Sequence, residues 1–117
     1  VSPAQPARLA SLPLSRVAGR VVPVAVDWRS RLLGLSHLDR PRAGAGLLIP
    51  SCASVHSFGM RFDLDLFFLD RRGRVLSLRR AVPPRRVAWE RGASAVLEVP
   101  SAGGPGDRGE SSRPPGP

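Results

Sequence analysis

Apolar and polar positions alternate most clearly between Leu64 and Arg80. In "DLDLFFLD", Leu64, Leu66 and Phe68 point to one side of an extended chain, and Asp65, Phe67 and Leu69 to the other. In "RVLSLRR", Leu76 and Leu78 alternate with Ser77 and Arg79, which predicts a strand with one wet face. Between these runs lies "DRRG", where Asp70 and Gly73 carry turn chemistry, so Leu64–Arg80 reads as a β-hairpin. Shorter apolar runs add strands at "RVVPVAV" (Arg20 to Val26), "GLLIP" (Gly46 to Pro50), "RVAW" and "SAVLEVP". Pro23 lacks an N–H and moves the first of these to a sheet edge or a bulge. The pattern turns helical only in "DWRSRLLGLSHL". Asp27 suits an N-cap, and Trp28, Leu32, Leu35 and Leu38 lie near helical spacing, with Leu33 widening the stripe and Arg29 and Arg31 outside it. "VPPRR" is extended and unfit for a central strand, because two successive residues have no N–H.

These elements predict a mainly β fold: a small antiparallel β-sandwich or barrel with one short packed α-helix. Residues 1–19 hold prolines without a sustained period and read as a flexible lead-in. Residues 20–100 form the β domain. Residues 101–117 are Gly, Pro, Ser and charge, and read as a disordered tail. No run approaches the roughly 18 apolar residues of a membrane span, so the expected setting is soluble and cytoplasmic.

The net charge is +9, and all 18 basic residues are arginine. Arginine without lysine, with abundant Ala, Gly and Pro, matches a GC-rich codon preference and weakens an inference from charge to nucleic acid. Arg71, Arg72, Arg74, Arg79, Arg80, Arg85 and Arg86 still form a basic patch that attracts polyanions non-specifically. The chain has no tyrosine to stack on bases beside them.

The rare side chains gather in "SVHSFGMRFDLDLFFL": the only methionine, every phenylalanine and one of two histidines. Phe58, Met60 and Phe62 recur at every second residue, as a core stripe or the wall of an apolar pocket. Cys52 and His56 stand four apart, a spacing open to packing, to a metal pair or to an activated thiol. The single cysteine excludes an intramolecular disulfide and a Cys₄ or Cys₂His₂ zinc site. Asp65 sits amid apolar residues and needs a donor, from Arg61 or a backbone N–H, unless it faces a ligand. Adjacent His56 and Ser57 point to opposite faces of a strand, which argues against a hydrolase triad with Asp65. His37 reads as a surface residue.

The central block resembles a known family. An aromatic-x-Met step (Phe58, Met60), an apolar-Leu-Asp step (Leu64, Asp65) and a run ending in Asp and a Gly turn (Phe68, Leu69, Asp70, Gly73) are similar to the signature of the prokaryotic domain of unknown function 192. Arg31, Gly34 and Leu35 resemble its earlier Arg-Gly-Leu helix, and Val96, Leu97 and Glu98 its later Val-Leu-Glu strand. The segment "RFDLD" departs from it in having no Asn, Thr or Pro. The resemblance implies a small β-sandwich or barrel with a packed helix, and no activity.

The first functional expectation is a non-enzymatic domain that binds a small molecule or a protein through a candidate pocket of Cys52, His56, Phe58, Met60 and Asp65. No cofactor is expected. The alternatives are a metal-dependent or thiol-based enzyme using Cys52 and His56, and a nucleic-acid-associated module using the basic patch. No catalytic residue is assigned.

Overall fold

The computed structural model describes residues 7–102. In chain order these form α1 (Ala7–Ala10), β1 (Leu14–Val17), β2 (Arg20–Pro23), α2 (Trp28–Leu33), α3 (Arg40–Ala43), β3 (Leu47–Pro50), β4 (Ser54–His56), β5 (Leu64–Leu69), β6 (Val75–Val82), β7 (Val87–Trp89) and β8 (Ala95–Pro100). The centre is a four-stranded sheet of order β3-β8-β5-β6, with every pairing antiparallel. Two smaller antiparallel pairs, β1–β2 and β4–β7, stand beside it. The central sheet stays open, with β3 and β6 at its edges, so the described residues form a sandwich-like stack and not a closed barrel.

Strand alternation divides the core in two. Leu47, Ile49, Leu64, Leu66, Phe68 and Val96 face a large cluster with Leu9, Leu12, Leu35, Leu38, Met60, Phe62 and Ala88. Leu69, Leu97 and Val99 face the other way, onto Val22 of the β1–β2 hairpin, with Val17, Leu48 and Phe67 at the margin. The sheet is thus covered on one face by helices and β4–β7, and on the other by β1–β2.

The expected hairpin is present as β5 and β6, with its turn built by Asp70. The Asp70 carboxylate accepts from the N–H groups of Arg72 and Arg74 at 2.8 and 2.9 Å. These bonds, the Arg74 amide first, hold its pKa below the usual carboxylate range. β6 lacks the single wet face expected: Ser77, Leu78 and Arg79 are all half-buried. Ser77 and Arg79 pair with Phe68 and Leu66, and the Arg79 guanidinium lies 5.1 Å from the Phe68 ring centre, whereas Leu76 is exposed. The register shift between Phe68 and Leu69 leaves Leu76 out of the pairing, at the edge of the sheet.

The helix is shorter than its hydrophobic period predicts. Asp27 caps it by accepting from the Ser30 N–H at 2.7 Å, and the chain leaves the helix at Gly34. Leu35 and Leu38 are buried by the turn that follows, while Trp28 and Leu32 of the expected stripe are 76% and 57% exposed. The stretch expected as a lead-in contains α1 and β1, and Leu9 and Leu12 are buried. These elements are too short to show a period. Pro23 lies in β2, which pairs with β1, and Val24 makes a single parallel bridge to Leu48. Of the expected tail, residues 103–117 lie outside the described residues. Ser101 is buried, and its N–H donates to the Asp63 carbonyl at 2.9 Å. No helix among the described residues is long and apolar enough to cross a membrane.

Candidate functional site

Glu98 occupies the middle of β8 with its side chain on the large-cluster face of the sheet. Its register neighbours on either side are Leu47 and Leu66. The residue is 1% exposed. A carboxylate in such surroundings loses its hydration, so burial pushes the Glu98 pKa up from 4.5 to about 8. A backbone hydrogen bond from Leu35 and the charge of Arg8 oppose that rise without cancelling it. At neutral pH the side chain is therefore mainly the neutral acid, a hydrogen-bond donor as well as an acceptor.

The chain bends closely around this group. Leu35 N–H donates to Glu98 Oε1 at 3.1 Å. Gly34 has φ +55°, and a Cβ there would lie 2.6 Å from Glu98 Oε1. Gly46 has φ +138°, and a Cβ there would lie 2.6 Å from the Glu98 carbonyl oxygen. Both glycines are thus required by backbone conformation and by space. Arg8 from α1 crosses behind the bend, donating to the carbonyls of Gly34 at 2.9 Å and Ser36 at 2.5 Å.

Glu98 lines a cleft of about 140 Å³ together with Arg31, Leu32, Ser54, Val55 and His56. The end of α2 forms one wall and β4 the other. His56 is held at both ring nitrogens: Nδ1 accepts from the Phe58 N–H at 3.1 Å, and Nε2 lies 3.0 Å from the Leu32 carbonyl. The first bond requires a free lone pair on Nδ1, so the ring hydrogen sits on Nε2 and donates to Leu32. Arg31 is exposed at the rim and anchored to the Ser51 carbonyl at 2.9 Å. The cleft therefore offers a neutral acid at its base, apolar walls from Leu32 and Val55, and a guanidinium at its mouth.

Of the five pocket residues expected from the sequence, His56 alone is among those lining this cleft. Cys52 is half-buried against the large cluster, and its thiol donates to the Ser54 carbonyl at 2.8 Å. Met60 is buried in that cluster. Phe58 is exposed, with its ring 5.9 Å from that of His56. Asp65 pairs in register with Val99, which places it on the opposite face of the sheet from Glu98. Its carboxylate accepts from the Ala81 N–H at 2.9 Å and the Ser101 hydroxyl at 2.7 Å. The donor is therefore a backbone N–H, as one alternative had it, and Arg61 instead pairs with Asp39 at 3.0 Å. Among the described residues, no three His, Cys, Asp or Glu side chains converge as a metal site would need. In the basic patch, Arg74 pairs with Asp70 and Arg79 with Glu90, both at 3.1 Å, and Arg80 lies 4.0 Å from Asp65. Arg71, Arg72, Arg85 and Arg86 are exposed.

The segment from β1 to the end of β8 matches, over residues 15–103, the family model of domain of unknown function 192, described as an uncharacterized ACR. The chain belongs to this family. The matched span contains Arg31, Gly34, Gly46, His56 and Glu98, and leaves out α1 with Arg8. Two crystal structures share the fold. One is a candidate transcription regulator from Sinorhizobium meliloti, 20% identical, with a TM-score of 0.60 over 75% of this chain and 77% of that one. The other is a protein of unknown function from Novosphingobium aromaticivorans, 16% identical, with a TM-score of 0.57 over 86% and 89% of the two chains. No curated protein matches the chain.

Glu98 is the site residue that sequence reasoning missed. Its signal was present: in "AVLEVP" the alternation that turns Val96 inward also turns Glu98 inward. What the sequence leaves out is that α2 ends over this position, so that Gly34 and Leu35 meet the carboxyl.

Proposed function

We propose that this protein is a non-enzymatic binding domain that takes a small polar ligand into the cleft between α2 and β4, with Glu98 as its hydrogen-bonding floor. One observation carries the reading. Glu98 is a buried carboxyl in apolar surroundings, held at Oε1 by the Leu35 N–H, and it lines a cleft. Burying a carboxyl costs desolvation, and an apolar residue at the same place would avoid that cost. A ligand that hydrogen-bonds to the acid from the cleft accounts for its place there. The cleft volume is near that of a cavity able to hold a benzene-sized molecule, so the guest is small or is the end of a larger one.

Binding is favoured over catalysis because the nearest acid–base group is already engaged. His56 uses Nδ1 and Nε2 on the backbone, so Ser54 beside it lacks the base that would make it a nucleophile. The Cys52 thiol, likewise, is turned to a backbone carbonyl.

The test is amide chemical-shift mapping of the full chain against water-soluble molecules of up to about eight non-hydrogen atoms, a size set by the cleft. The amides of Leu35, Val55 and His56 are expected to move together, and Glu98→Leu is expected to abolish the response. A panel that moves none of these amides in the wild type would overturn the reading.

A further inference from the structure

We infer that the ligand of this cleft is a small organic anion with a second oxygen function, a hydroxy or oxo carboxylate, whose carboxylate meets Arg31 while its other oxygen meets Glu98. The inference rests on the binding reading above and adds the sign and chemistry of the guest.

The charges facing the cleft decide the sign. From α2, Arg31 stands at the rim with one nitrogen used on Ser51, leaving further N–H groups for a ligand. From α1, Arg8 is hydrogen-bonded to Gly34 and Ser36, and its charge reaches Glu98. Arg29 of α2 is close enough for its charge to act on Arg8. From β4, His56 carries its ring hydrogen on Nε2 and brings no acid. From β3 and β5, the neighbours of Glu98 are Leu47 and Leu66. Glu98 is thus the one carboxyl among the described residues lining the cleft, and burial keeps it mainly neutral at pH 7. An entering anion meets positive potential and no opposing charge. A cation meets Arg31 first.

The arrangement of groups decides the chemistry. A carboxylate on a guanidinium is a charge-assisted contact with matched planar geometry. At the base, neutral Glu98 supplies an O–H toward a hydroxyl or carbonyl oxygen. The walls between, Leu32 and Val55, suit a short carbon frame. About 140 Å³ accommodates roughly six non-hydrogen atoms, the size of a three-carbon hydroxy acid.

The experiment titrates the full chain with lactate, and separately with propylammonium and 2-propanol, reading amide shifts between about pH 7 and about pH 9. Lactate is expected to move the Leu35 and His56 amides, and Arg31→Gln to weaken it about tenfold. Ionised Glu98 loses its donor hydrogen and repels the anion, so lactate affinity is expected to fall up to about tenfold per pH unit above the Glu98 transition. Glu98→Gln, which keeps a donor and cannot ionise, is expected to flatten that dependence. If propylammonium or 2-propanol moves these amides and lactate does not, the anion inference falls and the cleft reading stands. If lactate moves only surface arginine amides, it is a non-specific counterion of a +9 chain and the inference falls. If the broader panel also leaves the cleft amides unmoved, both fall.

Discussion

Replacing Glu98 by glutamine removes one titrating proton from the core and leaves the shape of the side chain. The folded-state pKa of Glu98 is raised from 4.5 to about 8. Below about pH 4.5 the folded and unfolded chains both hold this proton, and the group adds no pH dependence. Between 4.5 and about 8 the unfolded chain releases it while the folded chain keeps it, so stability falls as pH rises. At about 1.4 kcal/mol per pH unit, the total across this window is about 5 kcal/mol. That is a large share of the roughly 5–15 kcal/mol that holds a small domain together. Above about pH 8 both states are ionised and the loss levels off. Asp27 and Asp70 act at the other end of the scale. Backbone hydrogen bonds, from Ser30 and Arg74 respectively, lower their pKa values below 3.8, so their contribution is lost only as pH falls through the acid range. The two windows do not overlap. Urea unfolding of wild type and Glu98→Gln at a series of pH values isolates the difference, because the remaining titrations are common to both chains. Glutamine carries a pH-independent penalty for its buried amide, so the slope of the difference is the diagnostic quantity. The variant is expected to gain on the wild type by several kcal/mol between about pH 5 and about pH 8. Parallel stability curves across that interval would refute the buried neutral acid.

Gly34→Ala is expected to cost about 3 kcal/mol in urea unfolding, since the new Cβ meets Glu98 Oε1 at 2.6 Å with φ at +55°. A cost below about 0.5 kcal/mol, the usual surface range, would show that the bend yields freely. Asp65→Ala removes the acceptor for the Ala81 N–H and the Ser101 hydroxyl at the irregular β5–β6 pairing, with an expected loss of about 1–3 kcal/mol. Hydrogen exchange localised to Ala81 and Ser101 checks the cause. With the His56 nitrogens engaged on Phe58 and Leu32, added zinc is expected to leave the melting temperature of wild type and Cys52→Ser equal. Stoichiometric metal in the purified protein, with a zinc-dependent shift lost in Cys52→Ser, would instead make Cys52 and His56 ligands.

The parts of this protein legible in its sequence are those governed by local rules. Period-two alternation located β5 and β6 and the inward set Leu64, Leu66 and Phe68, and a short apolar run located β8. Turn chemistry located the Asp70 hairpin, and Asp27 marked the start of α2. The mainly β class followed from counting such segments. The rest depended on where elements meet. Gly34 ends α2 before its stripe is complete, which leaves Trp28 and Leu32 exposed and turns Leu35 inward. Asp65 and Glu98 look alike in sequence, each an acid within an apolar strand, yet they face opposite sides of one sheet. Asp65 finds two donors and serves the strand pairing. Glu98 finds one amide, a closed apolar surround and a cleft. Alternation decides which side chains of a strand share a face. Whether it meets a donor, a leucine or open space is decided by residues dozens of positions away, such as Leu35 for Glu98, and only packing brings these together.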